Sequence, residues 1–124
     1  MRRFYILVFV LLATGFTRGD ASVTPAQDAA KVNAKYITMK LDNPRVRVFE
    51  TKVQPGEKEA MHSHPASVIY VLEGGKIRNH ASDGTVTEAE FKAGAVYYRD
   101  PLTHWAENIG TTPIRLVLME LKQQ

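Results

Sequence analysis

The stretch at positions 57–75, EKEAMHSHPASVIYVLEGG, carries two of the chain's four histidines, His62 and His64, one residue apart, at the head of an apolar run that stops at Gly74-Gly75. On a strand, residues i and i+2 project from the same side. The two imidazoles are therefore predicted to face one way and Ser63 the other. Two ring nitrogens placed like this can converge on one metal ion at the usual distance of about 2.0–2.1 Å. Pro65 then removes a ladder donor, which marks an irregular strand edge. His104 follows His64 by 40 residues, just past RDPLT, and is the candidate third ligand if a second strand pair folds beside the first. Three imidazoles would leave coordination positions open for water or substrate. The same spacing also suits hydrogen-bonded surface imidazoles. His80, next to Asn79 and just before Ser82-Asp83-Gly84, reads as a solvated loop residue.

Outward from this stretch the text keeps one rhythm. Runs rich in valine, isoleucine, tyrosine and threonine alternate with turn signals. YITMKLD stops at Asn43-Pro44, and RVRVFETKV at QPGE, where proline precedes glycine. RVRVFETKV sets Val46, Val48 and Glu50 on one side and Arg45, Arg47 and Phe49 on the other. SVIYVLE ends at a glycine pair read as a hairpin turn, and KIRNH runs to Ser82-Asp83-Gly84, a hairpin signal. TVTEAEF, VYYRD, THWAENI and IRLVLMELK complete the series. About eight strands at spacings of 8–12 residues, with no convincing helix between them, predict an all-β antiparallel sandwich or barrel. An immunoglobulin-like sandwich would normally show a cysteine pair around a central tryptophan, whereas Trp105 is late and alone and cysteine is absent.

The beginning of the chain reads differently. Arg2 and Arg3 precede FYILVFVLLA (Phe4–Ala13), ten uncharged apolar residues, the form of a signal peptide. A comfortable membrane span needs roughly 20 residues. Residues 1–21 are expected to be a signal peptide cleaved after Ala21, which places the protein in the periplasm or outside the cell, with no stable membrane span after cleavage. Residues 22–35 are expected to form an N-terminal arm, with a helical turn after Thr24-Pro25, and residues 36–124 one β-domain. Cleavage removes three arginines and one aspartate, leaving 13 of 16 basic and 12 of 13 acidic residues. The remaining charges are scattered, with no basic cluster interleaved with aromatics, so nucleic acid is not an expected partner. The absence of cysteine excludes disulfides, thiolate ligands and cysteine nucleophiles.

Gly56, then five residues, His62-Ser63-His64 and YVLEG resemble the first motif of the cupin superfamily. Gly94 onward, with Pro101, His104 and, after three residues, Asn108, resembles the second. The likeness runs from about Val46 to Lys122. It implies a small jelly-roll β-barrel and a divalent metal held by two histidines and a glutamate of the first motif with a histidine of the second. It also implies a homodimer associated through sheet faces. The chain departs from the pattern where the glutamate should stand: one alignment places Ser67 there and another Val68, and neither is a carboxylate. Proline-x-glycine of the second motif is replaced by Pro101-Leu102-Thr103. A neutral three-histidine set keeps the ion's full charge, so nitrogen-preferring iron, nickel, copper or zinc is favoured over manganese. No organic cofactor is indicated, since no glycine-rich phosphate loop is present.

Among other groups, Glu59 reads as a solvated acid beside Lys58, because alternation would turn it away from His62. Tyr98 and Arg99 are the candidate catalytic residues. One of Tyr97 and Tyr98 is expected to face the barrel mouth as a hydrogen-bond donor or acid, and Arg99 either to bind a substrate carboxylate or to pair with Asp100 or Glu107. Trp105 is expected to point away from the site and pack. The barrel is expected to be lined in part by Val68, Ile69, Val71 and Val96. Two functions follow: a metal-dependent enzyme, oxygenase-like or isomerase-like, on a small organic substrate, or a non-catalytic module that binds a small ligand without metal. The fold does not choose between them.

Overall fold

The computed structural model describes residues 27–124, so the expected signal peptide and Thr24-Pro25 lie outside the described residues. Nine strands follow one short helix and a 3-10 turn: β1 Ile37–Asp42, β2 Val46–Val53, β3 His62–His64, β4 Ser67–Glu73, β5 Gly75–Ala81, β6 Val86–Phe91, β7 Val96–Arg99, β8 Leu102–Asn108 and β9 Ile114–Leu121. They form a five-stranded sheet, β1-β2-β9-β4-β7, and a four-stranded sheet, β3-β8-β5-β6, with every pairing antiparallel. The strand rhythm predicts an antiparallel sandwich or barrel, and the arrangement is the jelly-roll barrel that the family resemblance implies. Each stretch read as a strand is one, and HSH adds the ninth. Among the described residues no helix is long and apolar enough to cross a membrane.

The core lies between the sheets. Phe49, Ile69, Val71, Ile77, Ala106, Ile114, Leu116 and Leu118 form one buried cluster. Strand alternation sends these side chains inward, and burying each such residue is worth about 1.5–3 kcal/mol. In β2 the inward side is Arg47, Phe49, Thr51 and Val53, so Val46 and Val48 face out. Val96 is 62% exposed and Val68 sits on the outer face, so neither lines the barrel, contrary to the expectation from the sequence; Ile69 does line it.

Two glycine-bearing turns flank β5. The β5–β6 hairpin closes over Ser82–Thr85, with Gly84 at φ 89°, as the Ser-Asp-Gly signal predicts. Gly74 is different. The glycine pair read as a hairpin turn instead carries the chain from β4 in one sheet to β5 in the other. A Cβ on Gly74 would stand 2.2 Å from the carbonyl oxygen of Phe91, so only glycine lets the backbones pass this closely.

The N-terminal segment is built into the barrel. Helix α1 (Ala29–Val32) is capped by Asp28, whose carboxylate accepts from the Ala30 N–H at 2.9 Å. Asn33, just after it, is buried and ties the segment to the chain before β3: its Oδ1 accepts from the Ala60 N–H at 2.8 Å, and its Nδ2 donates to the Ala60 carbonyl at 3.1 Å.

Candidate metal centre

β3 pairs with β8 so that His62 stands directly opposite His104. That register brings together imidazoles 42 positions apart in the chain. His64, two residues on from His62, shares its side. All three rings are buried, and one ring nitrogen of each lies within 4.8 Å of the others. The ring centroids are 4.6 Å apart for His62 and His64, 4.7 Å for His62 and His104, and 5.4 Å for His64 and His104. The three histidines singled out by spacing are thus close enough to hold one ion.

The outer partners hold the rings by their Nδ1 atoms. His64 Nδ1 lies 2.7 Å from Glu120 Oε1, and a carboxylate can only accept, so Nδ1 carries the proton. His62 Nδ1 lies 2.7 Å from the Ala60 carbonyl oxygen, an acceptor, and 2.8 Å from Asn33 Nδ2, a donor, so it gives a proton to Ala60 in one tautomer and accepts one from Asn33 in the other. His104 Nδ1 faces Asn79 Oδ1 at 3.2 Å. With its proton on Nδ1, each ring presents a bare Nε2. The Nε2 atoms of His62 and His64 are 2.8 Å apart, and His104 Nε2 is buried with no hydrogen-bond partner. Lone pairs facing each other at this distance repel unless a proton or a cation lies among them. The donor set therefore fits a divalent transition metal, in the arrangement where an outer acceptor orients each metal-binding imidazole.

Burial keeps these rings neutral. Desolvation lowers His64 to about 2, helped by the Arg99 charge, and lowers His104 to about 2, helped by its histidine neighbours and Arg99. His62 is lowered as well, chiefly by burial. Protons thus compete weakly with an ion near neutral pH.

Behind His64 runs a charge chain that starts at the buried Glu120 and ends at the partly exposed Asp28. Arg47 donates from Nε to Glu120 Oε2 at 2.8 Å and from Nη1 to Asp28 Oδ2 at 2.9 Å. Glu120 is buried in β9 and paired on both oxygens, which offsets the cost of withdrawing a carboxylate from water.

Several residues stand elsewhere than the sequence reading expects. Glu59 is not a solvated acid: only 13% of its side chain is exposed, it lines the cavity, and its Oε2 lies 3.9 Å from His62 Nε2. Burial raises its carboxyl to about 7 against the opposing pull of Arg99. Of the tyrosines, Tyr97 faces inward, packing edge-on against Phe91 at 5.7 Å. Tyr98 is 64% exposed and pairs with the outward-facing Val68, yet it also borders the cavity. Arg99 faces inward and pairs with neither Asp100 nor Glu107; Glu107 instead bonds to Arg78 at 3.1 Å and to His80 at 3.1 Å. His80 lies on β5 rather than in a loop and stacks on Trp105 at 3.6 Å, outside the barrel. Ser67 takes the inward position where the family pattern has its glutamate, while Val68 points out. Asn108 serves the fold, donating to the Val53 and Thr112 carbonyls at 2.9 and 2.8 Å.

The three imidazoles open onto a cavity of about 500 Å³, walled by Phe49, Ile69, Ile77, Leu116 and Leu118, within the size range of small-molecule sites.

No family profile matches the chain, and no curated protein does. Among solved structures it is similar to a cupin domain from Bordetella pertussis, at 26% identity and TM-score 0.64, over 70% of this chain and 92% of that one. An uncharacterized conserved protein with a double-stranded β-helix domain from Klebsiella pneumoniae matches at 27% identity and TM-score 0.56, over 68% and 74%. An RmlC-like cupin family protein from Methanocaldococcus jannaschii shares the fold, at 14% identity and TM-score 0.55, over 73% and 84%.

Proposed function

Because the chain is a small single-domain cupin, we propose that it holds one divalent transition metal on the Nε2 atoms of His62, His64 and His104 and binds a small organic molecule in the cavity beside it. The observation that carries this reading is the set of three neutral imidazoles whose Nδ1 atoms are all engaged by outer acceptors. An all-nitrogen set favours iron, nickel, copper or zinc over manganese. A bound ion of this kind supplies a Lewis acid and, if redox-active, a centre for oxygen chemistry, which suits oxygenase-like or isomerase-like reactions. The chain's own part is to orient the rings through Ala60, Glu120 and Asn79, to exclude bulk water with the apolar wall, and to place Arg99 and Glu59 at the cavity surface. The reading includes export, supported by Arg2-Arg3 ahead of the apolar run.

Protein purified without chelator is expected to contain close to one metal ion per chain by elemental analysis. Glu120→Gln keeps an acceptor for His64 but weakens its hold, so metal affinity is expected to fall about 10–100-fold in competition with a chromogenic chelator. Wild-type protein that carries no metal and takes up none would reject the reading and leave the non-catalytic ligand-binding module.

The same reading makes the protein a homodimer. One row of apolar side chains crosses the outer face of the whole five-stranded sheet: Leu41, Val48, Met119, Val68 and Tyr98, each paired in register with the next. A second copy laid on this row would cover it. Sedimentation equilibrium should give twice the mass of the single chain as purified, and Val68→Glu should return it to the monomer; a wild-type monomer at high concentration would exclude the dimer.

A further inference from the structure

Arg99 is the group the fold leaves unresolved. Its Nε and Nη2 atoms are both buried and neither has a hydrogen-bond partner. These two nitrogens form the side-on edge of the guanidinium, whose parallel N–H groups match the two oxygens of a carboxylate. A buried charge is normally paired. Among the described residues, no carboxylate lies within ion-pair distance of Arg99: Glu120 is taken by Arg47 and His64, and Glu107 by Arg78 and His80. The reason is legible in the strand register. On the inner face of the five-stranded sheet, Arg47, Glu120, Ser67 and Arg99 stand side by side on β2, β9, β4 and β7. The neighbour of Arg99 in that row is Ser67, whose Oγ is itself buried without a partner. A serine stands where the family pattern would set a glutamate, and its side chain does not complete the pair.

Arg99 borders the cavity onto which the three imidazoles open, and among the described residues it is the one lysine or arginine in that wall. Besides the histidines and the phenols of Tyr97 and Tyr98, the other ionisable groups that line the cavity among the described residues are the acids Glu59, Asp83 and Glu90. One fixed cation among acids favours a singly charged anion over a phosphate dianion. The apolar wall of Ile69, Leu116 and Leu118 favours a hydrocarbon body behind the anionic head. We propose that the cavity binds a small organic monocarboxylate, its two oxygens seated on the Nε–Nη2 edge of Arg99 and its apolar portion against the barrel wall. This rests on the small-molecule reading of the cavity but not on the metal: Arg99 supplies the anchor with or without an ion.

Calorimetric titration of metal-free and metal-loaded protein with acetate, hexanoate and benzoate tests it, with benzamide as the neutral isostere of benzoate and inorganic phosphate as the competing anion. Saturable binding of hexanoate or benzoate in the metal-free protein is expected, with benzamide at least 10-fold weaker. Arg99→Met should weaken carboxylate binding 10-fold or more. Arg99→Lys, which keeps the charge but loses the edge, should fall between wild type and Arg99→Met. Removing an unpaired buried charge should leave the melting temperature of Arg99→Met unchanged or raised, whereas a structural arginine would lower it. No saturable binding of any of the three acids, equal binding of benzoate and benzamide, wild-type affinity in Arg99→Met, or tighter binding of phosphate would each overturn the proposal. Failure of the metal reading appears separately, as absent metal in a protein that still binds the acid.

Discussion

A His62→Ala, His64→Ala double variant is expected to lose its bound metal, with affinity reduced well beyond the roughly 10–100-fold that removing an outer partner costs. Two of three inward nitrogens are gone in this variant, and the third cannot hold an ion alone against water and buffer. His104→Ala should show the same loss, although it alters a residue 42 positions from His62 in sequence, because register sets it opposite His62. All three sites are buried, so truncation also leaves cavities. Circular dichroism and melting of the metal-free forms separate a lost ligand from a lost fold. Elemental content unchanged in both variants would mean that the ion sits elsewhere.

Metal-free protein is also expected to lose stability as the pH falls below about 6.5. His64 and His104 are lowered from 6.5 to about 2 by burial. A group whose folded pKa lies below its unfolded value stabilises the fold above the unfolded pKa and withdraws that stabilisation as the pH drops. Each costs about 1 kcal/mol per pH unit below about 6.5. Glu59, raised from 4.5 to about 7 by burial, acts in the opposite sense between those values, because the fold takes up its proton first. His62 is lowered and Glu120 raised, both mainly by burial, so they offset in part. The net loss is about 1 kcal/mol per unit down to pH ~4.5 and steeper below, where the carboxyls are protonated in both states. Against a typical total of about 5–15 kcal/mol, that is enough to unfold the domain in acid. Urea midpoints at pH 7.5, 5.5 and 4 should fall at each step. Added zinc should move the decline to lower pH, since proton and ion compete for the same nitrogens. Equal midpoints at pH 7.5 and 4 would contradict the assignment of three buried neutral imidazoles.

The strands were legible because their boundaries are chemical. Asn-Pro, Pro-Gly and Ser-Asp-Gly stop them, and β-branched residues fill them. The His62/His64 pair was legible because period two is strict even in the three residues of β3. Glu59 was missed for the opposite reason. Residues 57–61 are not a continuous strand, so alternation counted back from His62 has no meaning there; an isolated bridge at Lys58 and a bond from the Glu59 N–H to the Ala106 carbonyl aim the side chain inward instead. Glu120 had a signal that went unread. It keeps phase with Leu116 and Leu118, and a carboxylate on the core side of a strand must have buried partners. Arg47, in phase with Phe49, carried the same signal. The glycine pair Gly74-Gly75 misled because a sheet-to-sheet crossing and a hairpin need the same residue, and only the packing against Phe91 tells them apart. No sequence pattern shows an arginine without a partner; Arg99 becomes informative only once register sets Ser67 beside it.

The central claim is that three imidazoles from two separate strands share one ion. Crystals of metal-loaded protein, measured at the absorption edge of the added ion, test it most directly. One strong anomalous peak is predicted among the Nε2 atoms of His62, His64 and His104, at about 2.0–2.1 Å from each. A fully loaded crystal whose only peaks lie on the surface, with the three rings still turned toward one another, would contradict it.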